Sequence, residues 1–402
     1  MPAEVLNDAT TVSGERVDVL VEGGMIAAVA PHGPFGAVAE EADVTVDLTG
    51  HVLLPAAVEP HAHLDKAFLA EVVPNPTGDL RGAIDAMQAH RHLLTYADTV
   101  ARAERAVRLM AANGYVAVRT HADVTLGNGL TSVTALAEVR QRVGELIDIE
   151  IVALTGIGVL GPQGAAQRAL LVDALAAGAD LVGGCPHLET DVAAATDVFL
   201  EIATDHGRGV DLHTDETLDP HATGLDVLAR RVLAGFDLPV TASHCVSLGQ
   251  QAPDTVRATA ERVAAAGIGV VTLPHTNLFL QGRGTAPVPR GLTAVDALRA
   301  AGVPVAAGAD NLQDPFNPVG RACPFETAGL MVMAAHLLPE EAWAAVSTVA
   351  AAVLGRAGAQ GVHPGAPADL LAVPAATVRE AIAFAPTDRR RWSGHHAPSS
   401  AG

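Results

Sequence analysis

Lysine is nearly missing from this chain: Lys66 stands alone in 402 residues, against 24 arginines. A lone survivor in such a background is a candidate for a specific task. Basic residues are scarce altogether, with 25 Lys and Arg against 45 Asp and Glu and a formal charge of −20. That balance offers no basic face on which nucleic acid or an anionic membrane could dock. Cysteine is rare too. Cys185, Cys245 and Cys323 are odd in number and far apart, which excludes a C-x-x-C pair and a disulfide framework and suits a reducing compartment. No uncharged apolar run approaches the roughly 18 residues of a membrane span, and MPAEVLNDAT has neither the basic nor the apolar stretch of a secretory leader. The expectation is a cytoplasmic protein without nucleic-acid or membrane partners, with homo-oligomerisation left open.

What is present is a large apolar fraction, 49% of residues, arranged with a period. Eight short apolar runs begin at Val52, Tyr115, Ile147, Ala179, Gly209, Pro239, Ile268 and Val303. After the first, they recur about every 30 residues, the length of one βα unit. The runs are nearly continuous in apolar character, the mark of strands buried on both faces, and Ala/Leu-rich helical stretches lie between them. The expected fold is α/β: a (β/α)8 TIM-type barrel over residues 51–358. Alternating, Gly- and Asp-punctuated segments in 1–50 and a strand-like segment in 359–392 are expected to form one small β-sandwich domain. Residues 393–402 read as a disordered tail.

Polar residues cluster where the apolar runs end: His61 and His63, His121 and Asp123, His187, His213, His244, His275, Asp310. Active sites in this architecture sit at the C-terminal ends of the strands. In PHAHLDK, His61 and His63 lie at i and i+2, so both point to one face, about 6.5–7 Å apart along the strand, and can reach one metal. In DLHTDE, His213 supplies a third imidazole. Glu216 enters the same pocket only if the chain turns after His213, and is otherwise a solvated loop acid. In GADN, Asp310 can ligate the metal or take a proton from its water. His244, which ends the sixth strand in TASHC, can orient that water or the leaving group. Three histidines and a carboxylate leave a coordination position for water, as a catalytic site requires.

In order along the chain, HAHLD, VRTHADV, DLHTDE, VTASH, NLFLQGR and GADNLQDPFNPVG resemble segments of the cytosine deaminase branch of the amidohydrolase superfamily. The resemblance covers residues 50–330 closely. It implies one divalent metal per chain, zinc or iron, held by His61, His63, His213 and Asp310. It implies Glu216 as proton shuttle, and His244 with Asp310 as partners of the attacking metal-bound hydroxide. The expected function is hydrolytic deamination of a small heterocyclic substrate with release of ammonia. Other branches bridge two metals with a carboxylated lysine at the end of strand four. LVGGCPH has none there, which favours a single metal and disfavours dihydroorotase-like chemistry. The H-x-E and P-C-x-x-C signature of the unrelated zinc deaminases is missing.

Two departures bear on the substrate. Gly156 stands where cytosine deaminases carry a glutamine that hydrogen-bonds the pyrimidine. Asn311 replaces an acid and, with the Asp-Lys after H-x-H, resembles isopropylammelide amidohydrolases, which lack the counterpart of Glu216. Hydrolysis of an N-substituted aminotriazine is therefore the alternative reaction, and a non-catalytic heterocycle-binding barrel the alternative of another class. Lys66, Gly156, Gln281, Asn311 and Phe316 are the candidate substrate contacts. Gln281, Arg283 and Phe316 are equally compatible with loop packing.

Overall fold

A computed structural model describes residues 3–33, 42–356 and 360–394. Residues 395–402 of the expected tail lie outside it. Among the described residues the chain opens with five strands: β1 (Glu4–Thr10), β2 (Arg16–Glu22), β3 (Met25–Pro31), β4 (Val44–Asp47) and β5 (His51–Pro55). The first three pair antiparallel, and β4 joins β1 in parallel. At Ala56 the chain leaves this sheet for the barrel. The single apolar run expected from Val52 is thus two strands, β5 and β6 (Ala57–Ala62). Both are buried, so hydrophobicity alone does not divide them.

The barrel continues with β7 (Tyr115–Asp123), β8 (Asp148–Thr155), β9 (Leu181–Gly184), β10 (Val210–Thr214), β11 (Val240–His244), β12 (Gly269–Thr272) and β13 (Val305–Ala307), parallel and in sequential order. Helices α1 (Leu80–His90) and α2 (Tyr96–Ala112) fill the long connection after β6. Outside the other strands lie α3 (Thr131–Val143), α4 (Ala165–Ala176), α5 (Val192–His206), α6 (Gly224–Leu233), α7 (Pro253–Ala265), α8 (Pro274–Leu280) and α9 (Val295–Ala300). Then come α10 (Pro324–Ala334), α11 (Pro339–Ala345) and α12 (Thr348–Val353). Side chains of Asp79, Thr95 and Asp191 accept hydrogen bonds from Gly82, Asp98 and Ala194 N–H at the starts of α1, α2 and α5, satisfying donors that a helix start leaves open. The protein is a TIM-type barrel with a separate sheet built from both ends of the chain.

The chain then returns to the first sheet. β14 (Leu370–Pro374) pairs with β5, α13 (Val378–Phe384) follows, and β15 (Arg390–Trp392) pairs with β14. Arg391 ties this sheet to the barrel: one guanidinium nitrogen donates to the carbonyls of Tyr115 (2.9 Å) and Leu146 (2.6 Å). No helix among the described residues is long and apolar enough to cross a membrane.

Barrel closure positions the site. Between β13 and β6 the contact is completed by an isolated bridge between Ala62 and Asp310. Asp310 N–H donates to His61 C=O, and His63 N–H to Asp310 C=O, each at 3.0 Å. Three candidate ligands therefore share one seam, fixed by backbone bonds.

Candidate metal and substrate site

Around that seam the side chains converge. His63 Nε2 lies 3.2 Å from Asp310 Oδ1 and 3.2 Å from His213 Nε2, and His61 Nε2 lies 3.4 Å from Asp310 Oδ1. Four ligands at about 2.0–2.1 Å from one tetrahedral ion stand about 3.3–3.4 Å apart, so each of these three spacings is that of two ligands sharing an ion. Among the described residues the triplets whose ligand atoms all lie within 4.8 Å of one another are His61–His121–His213 and His61–His244–Asp310. His61 Nε2 and both Asp310 oxygens are buried without a hydrogen-bond partner of their own. Buried orphans of this kind ask for a reason, and an ion is a sufficient one.

The tautomer of His61 follows from its neighbours. Ser243 Oγ donates its only proton to Asp211 Oδ1 (2.9 Å), so the 2.9 Å contact between His61 Nδ1 and Ser243 Oγ must be donated by the ring. That leaves the Nε2 lone pair facing Asp310, as a ligand requires. Asp211 in turn accepts from Arg119 (3.0 Å), which also binds Glu150 (2.7 Å) and Thr241 (2.9 Å). His121 is buried and stacked on His61 at 3.9 Å. It can also approach a common point with His61 and His213, and burial holds it well below the usual histidine pKa. His187 Nδ1 donates to the His213 carbonyl (2.9 Å). His275 does not end a strand; it lies in α8 and faces Thr327 at 3.0 Å.

Glu216 reaches the cavity because the chain does turn after β10. Asp215 has φ +48°, a left-handed conformation uncommon for a non-glycine residue, and its carboxylate accepts from Gly224 N–H (3.0 Å) and Leu225 N–H (2.9 Å). Glu216 then sits 3.5 Å from His244 Nδ1. Burial, and secondly Asp310, raise its pKa well above the usual carboxyl range. His244 is pushed down to about 3, by burial above all, so it is neutral at ordinary pH. It and Asp310 also have positive φ, +68° and +64°. Backbone strain at strand ends concentrates at functional sites.

A cavity of about 430 Å³ opens onto these groups. His63, His213, Glu216, His244 and Asp310 lie at its polar end, and Leu80, Ile84 and Met87 of α1 with Phe316 contribute apolar wall. A Cβ on Gly156 would meet nothing within 4 Å, so that side of the cavity is bare. Lys66 also lines it, bonded to Asp123 Oδ1 (2.7 Å) and Asp65 Oδ1 (3.2 Å). Asn311 lines it with both amide ends engaged, by Asp314 (2.7 Å) and Thr276 (3.3 Å). Two expected contacts lie elsewhere. Gln281 caps the end of α8 and braces the Glu216 carbonyl (3.3 Å). Arg283 bonds Gly78 O and covers the Phe279 ring. Asn277, whose amide is 3.1 Å from His244 Nδ1, and the Ser243–Asp211–Arg119 relay are site residues that no sequence motif marks. Asp211 shares β10 with His213, and Ser243 and Arg119 lie on strands that end in His244 and Asp123, which could have pointed to them; Asn277 lies in α8 and carries no such signal.

A barrel with this histidine–carboxylate cluster at its strand ends defines a hydrolase class. A family model described as "Amidohydrolase family" matches residues 73–392. The chain belongs to the amidohydrolase family and is an enzyme acting on carbon–nitrogen bonds. It is 33% identical over 398 residues to a pterin deaminase of Rhizobium rhizogenes (strain K84), covering 97% of this chain and 90% of that protein. Among solved structures, it is similar to N-isopropylammelide isopropylaminohydrolase from Burkholderia multivorans (33% identity, TM-score 0.82, 98% of each chain). It is also similar to 5-methylcytosine deaminase from Klebsiella pneumoniae liganded with phosphonocytosine (28% identity, TM-score 0.85, 95% of this chain and 94% of that one).

Proposed function

We propose that the protein is a single-metal deaminase of a two-ring aminoheterocycle of the pterin type. The carrying observation is the juxtaposition of Glu216 with His244 and the His61–His63–His213–Asp310 cluster, facing a cavity left bare at Gly156. His61, His63, His213 and Asp310 would hold the ion. A bound divalent ion supplies water acidified toward neutrality. The reaction balances as one water consumed, one ring C–NH2 bond broken, one ring C–O bond formed and one ammonia released. Glu216, kept protonated by burial, gives its proton to a ring nitrogen and makes the adjacent amino-bearing carbon electrophilic. His244, neutral, and Asp310 accept the proton that the water loses. Glu216 and His244, 3.5 Å apart, can then pass a proton to the departing amine.

The bare wall at Gly156 supports a second ring, and the pterin deaminase relative supports the same substrate class. The second reading, removal of an alkylamine from an N-substituted aminotriazine, draws support from Lys66, Asn311 and the Burkholderia relative. Ammonia and amine release from a panel of pterins, aminopurines, aminopyrimidines and N-alkyl aminotriazines separates the two. Ammonia from pterins supports the first, and alkylamine from triazines alone replaces it with the second.

A further inference from the structure

Asp123 ends β7 on the strand next to Gly156: it pairs in register with Leu154 of β8, two residues before the glycine. Its side chain is 29% exposed and borders the cavity. Oδ1 accepts from Lys66 Nζ, whereas Oδ2 has no donor among the described residues. The pair is held firmly. Asp65 accepts from Lys66 Nζ and from Asp123 N–H (2.9 Å), and Asn128 donates to Asp123 C=O (3.1 Å). Arg102 clamps the carbonyls of Asp65 and Ala67 at 2.8 and 3.0 Å. Burial alone would lower the Lys66 pKa, but Asp123 and Asp65 outweigh it and keep the ammonium charged. An ammonium has three N–H donors; one faces Asp123 Oδ1 and one is shared between Asp65 Oδ1 (3.2 Å) and Oδ2 (3.5 Å), so one remains. The chain's only lysine and a carboxylate thus present one spare donor and one spare acceptor, side by side, at the cavity wall.

We propose that Asp123 is a specificity-determining residue: with Lys66 it reads a lactam edge of the substrate, Asp123 Oδ2 accepting the ring N–H and Lys66 Nζ donating to the neighbouring C=O. A glutamine amide offers the same donor–acceptor couple, so the task that Gly156 cannot perform passes one strand over, to β7. The substrate class narrows to 2-amino-4-oxo heterocycles, with the rest of the ring system in the space beside Gly156. This rests on the deaminase reading above.

The test compares kcat/KM for pterin and for 2-aminopteridine, which lacks the oxo group, in the metal-loaded wild type, Asp123→Ala and Asp123→Asn. Metal content and thermal melting are checked in each. The wild type is expected to favour pterin, and Asp123→Ala to shrink that preference by about 10–100-fold, the worth of a buried hydrogen bond left unmade. The loss should fall mainly on KM, because the contact is present before and during reaction. Should Asp123→Ala fail to fold, wild-type kinetics on N3-methylpterin still decide: blocking the ring N–H must weaken KM at least 10-fold. An unchanged preference in Asp123→Ala, or equal use of pterin and its N3-methyl derivative, overturns the inference while leaving the deaminase standing. If no aminoheterocycle releases ammonia, the deaminase reading fails first, and this one with it.

Discussion

At the scale of the residue, environment sets chemistry. Glu216 differs from dozens of surface acids only in being buried beside Asp310. A cation at the cluster would offset the effect of Asp310 but not that of burial, the larger cause. An acid with a raised pKa keeps its proton to higher pH than an ordinary carboxyl and loses it as pH rises through that pKa. The account therefore predicts kcat/KM falling on the alkaline side. Glu216→Gln should abolish that limb, keep the metal and cut turnover by about 10²–10⁴-fold; near-normal turnover would return Glu216 to the loop acids. Gly156 makes the complementary test. Its φ lies outside the left-handed region and a Cβ there meets open space, so Gly156→Gln should fold. It should raise activity on cytosine and lower it on pterin, each by about 10–100-fold, read as the ratio of the two kcat/KM values. The ligand candidates could be read from sequence because H-x-H on a strand has one geometric meaning. The occupation of Lys66 by two carboxylates could not, since Asp123 lies 57 residues away and meets it only through barrel closure.

At the scale of the element, the strand ends do the positioning, and their partners reach across strands. His61 on β6 takes its tautomer from Ser243 on β11, which is oriented by Asp211 on β10. Removing that hydroxyl leaves His61 Nδ1–H unpaired but touches no ligand atom. Ser243→Ala should therefore weaken metal binding by about 10–100-fold in a chelator competition, with the fold unchanged by circular dichroism. An unaltered affinity would make the relay merely structural. Periodicity revealed the eight strands because both faces of each are buried. It could not place the boundary between β5 and β6, where one apolar stretch serves two sheets in turn, nor show that His275 falls in α8. A histidine after an apolar run is a strand end only if the helix starts later; here Pro274 starts it at once.

At the scale of the molecule, the two ends of the chain make one sheet, whose Val52, Leu54, Leu371 and Val373 pack into the barrel core, and polar bonds add to that packing. Arg391 is central among them, since its donors meet carbonyls of Tyr115 and Leu146 in the barrel. Hydrogen bonds from a charged group contribute about 1.5–3 kcal/mol. Arg391→Ala should lower stability by about that much in urea unfolding, with kcat unchanged because the site is at the other ends of the strands. A change below about 0.5 kcal/mol, the range of ordinary surface substitutions, would show that apolar packing alone holds the sheet. The composite sheet was foreseeable from the patterning of both ends, but its order, with β5 between β1 and β14, depends on pairing that no local pattern encodes.

The proposed activity is removal of ammonia from a pterin-type ring by one chain holding one metal. The most direct measurement is ammonia released per pterin consumed, on protein stripped of metal and reloaded with one equivalent of zinc or iron. The expected result is one ammonia per pterin, no reaction in the stripped protein, full activity at one equivalent, and cytosine turned over about 10–100-fold more slowly for want of the contact at Gly156. No ammonia from any pterin, or activity that appears only at two equivalents of metal, would contradict it.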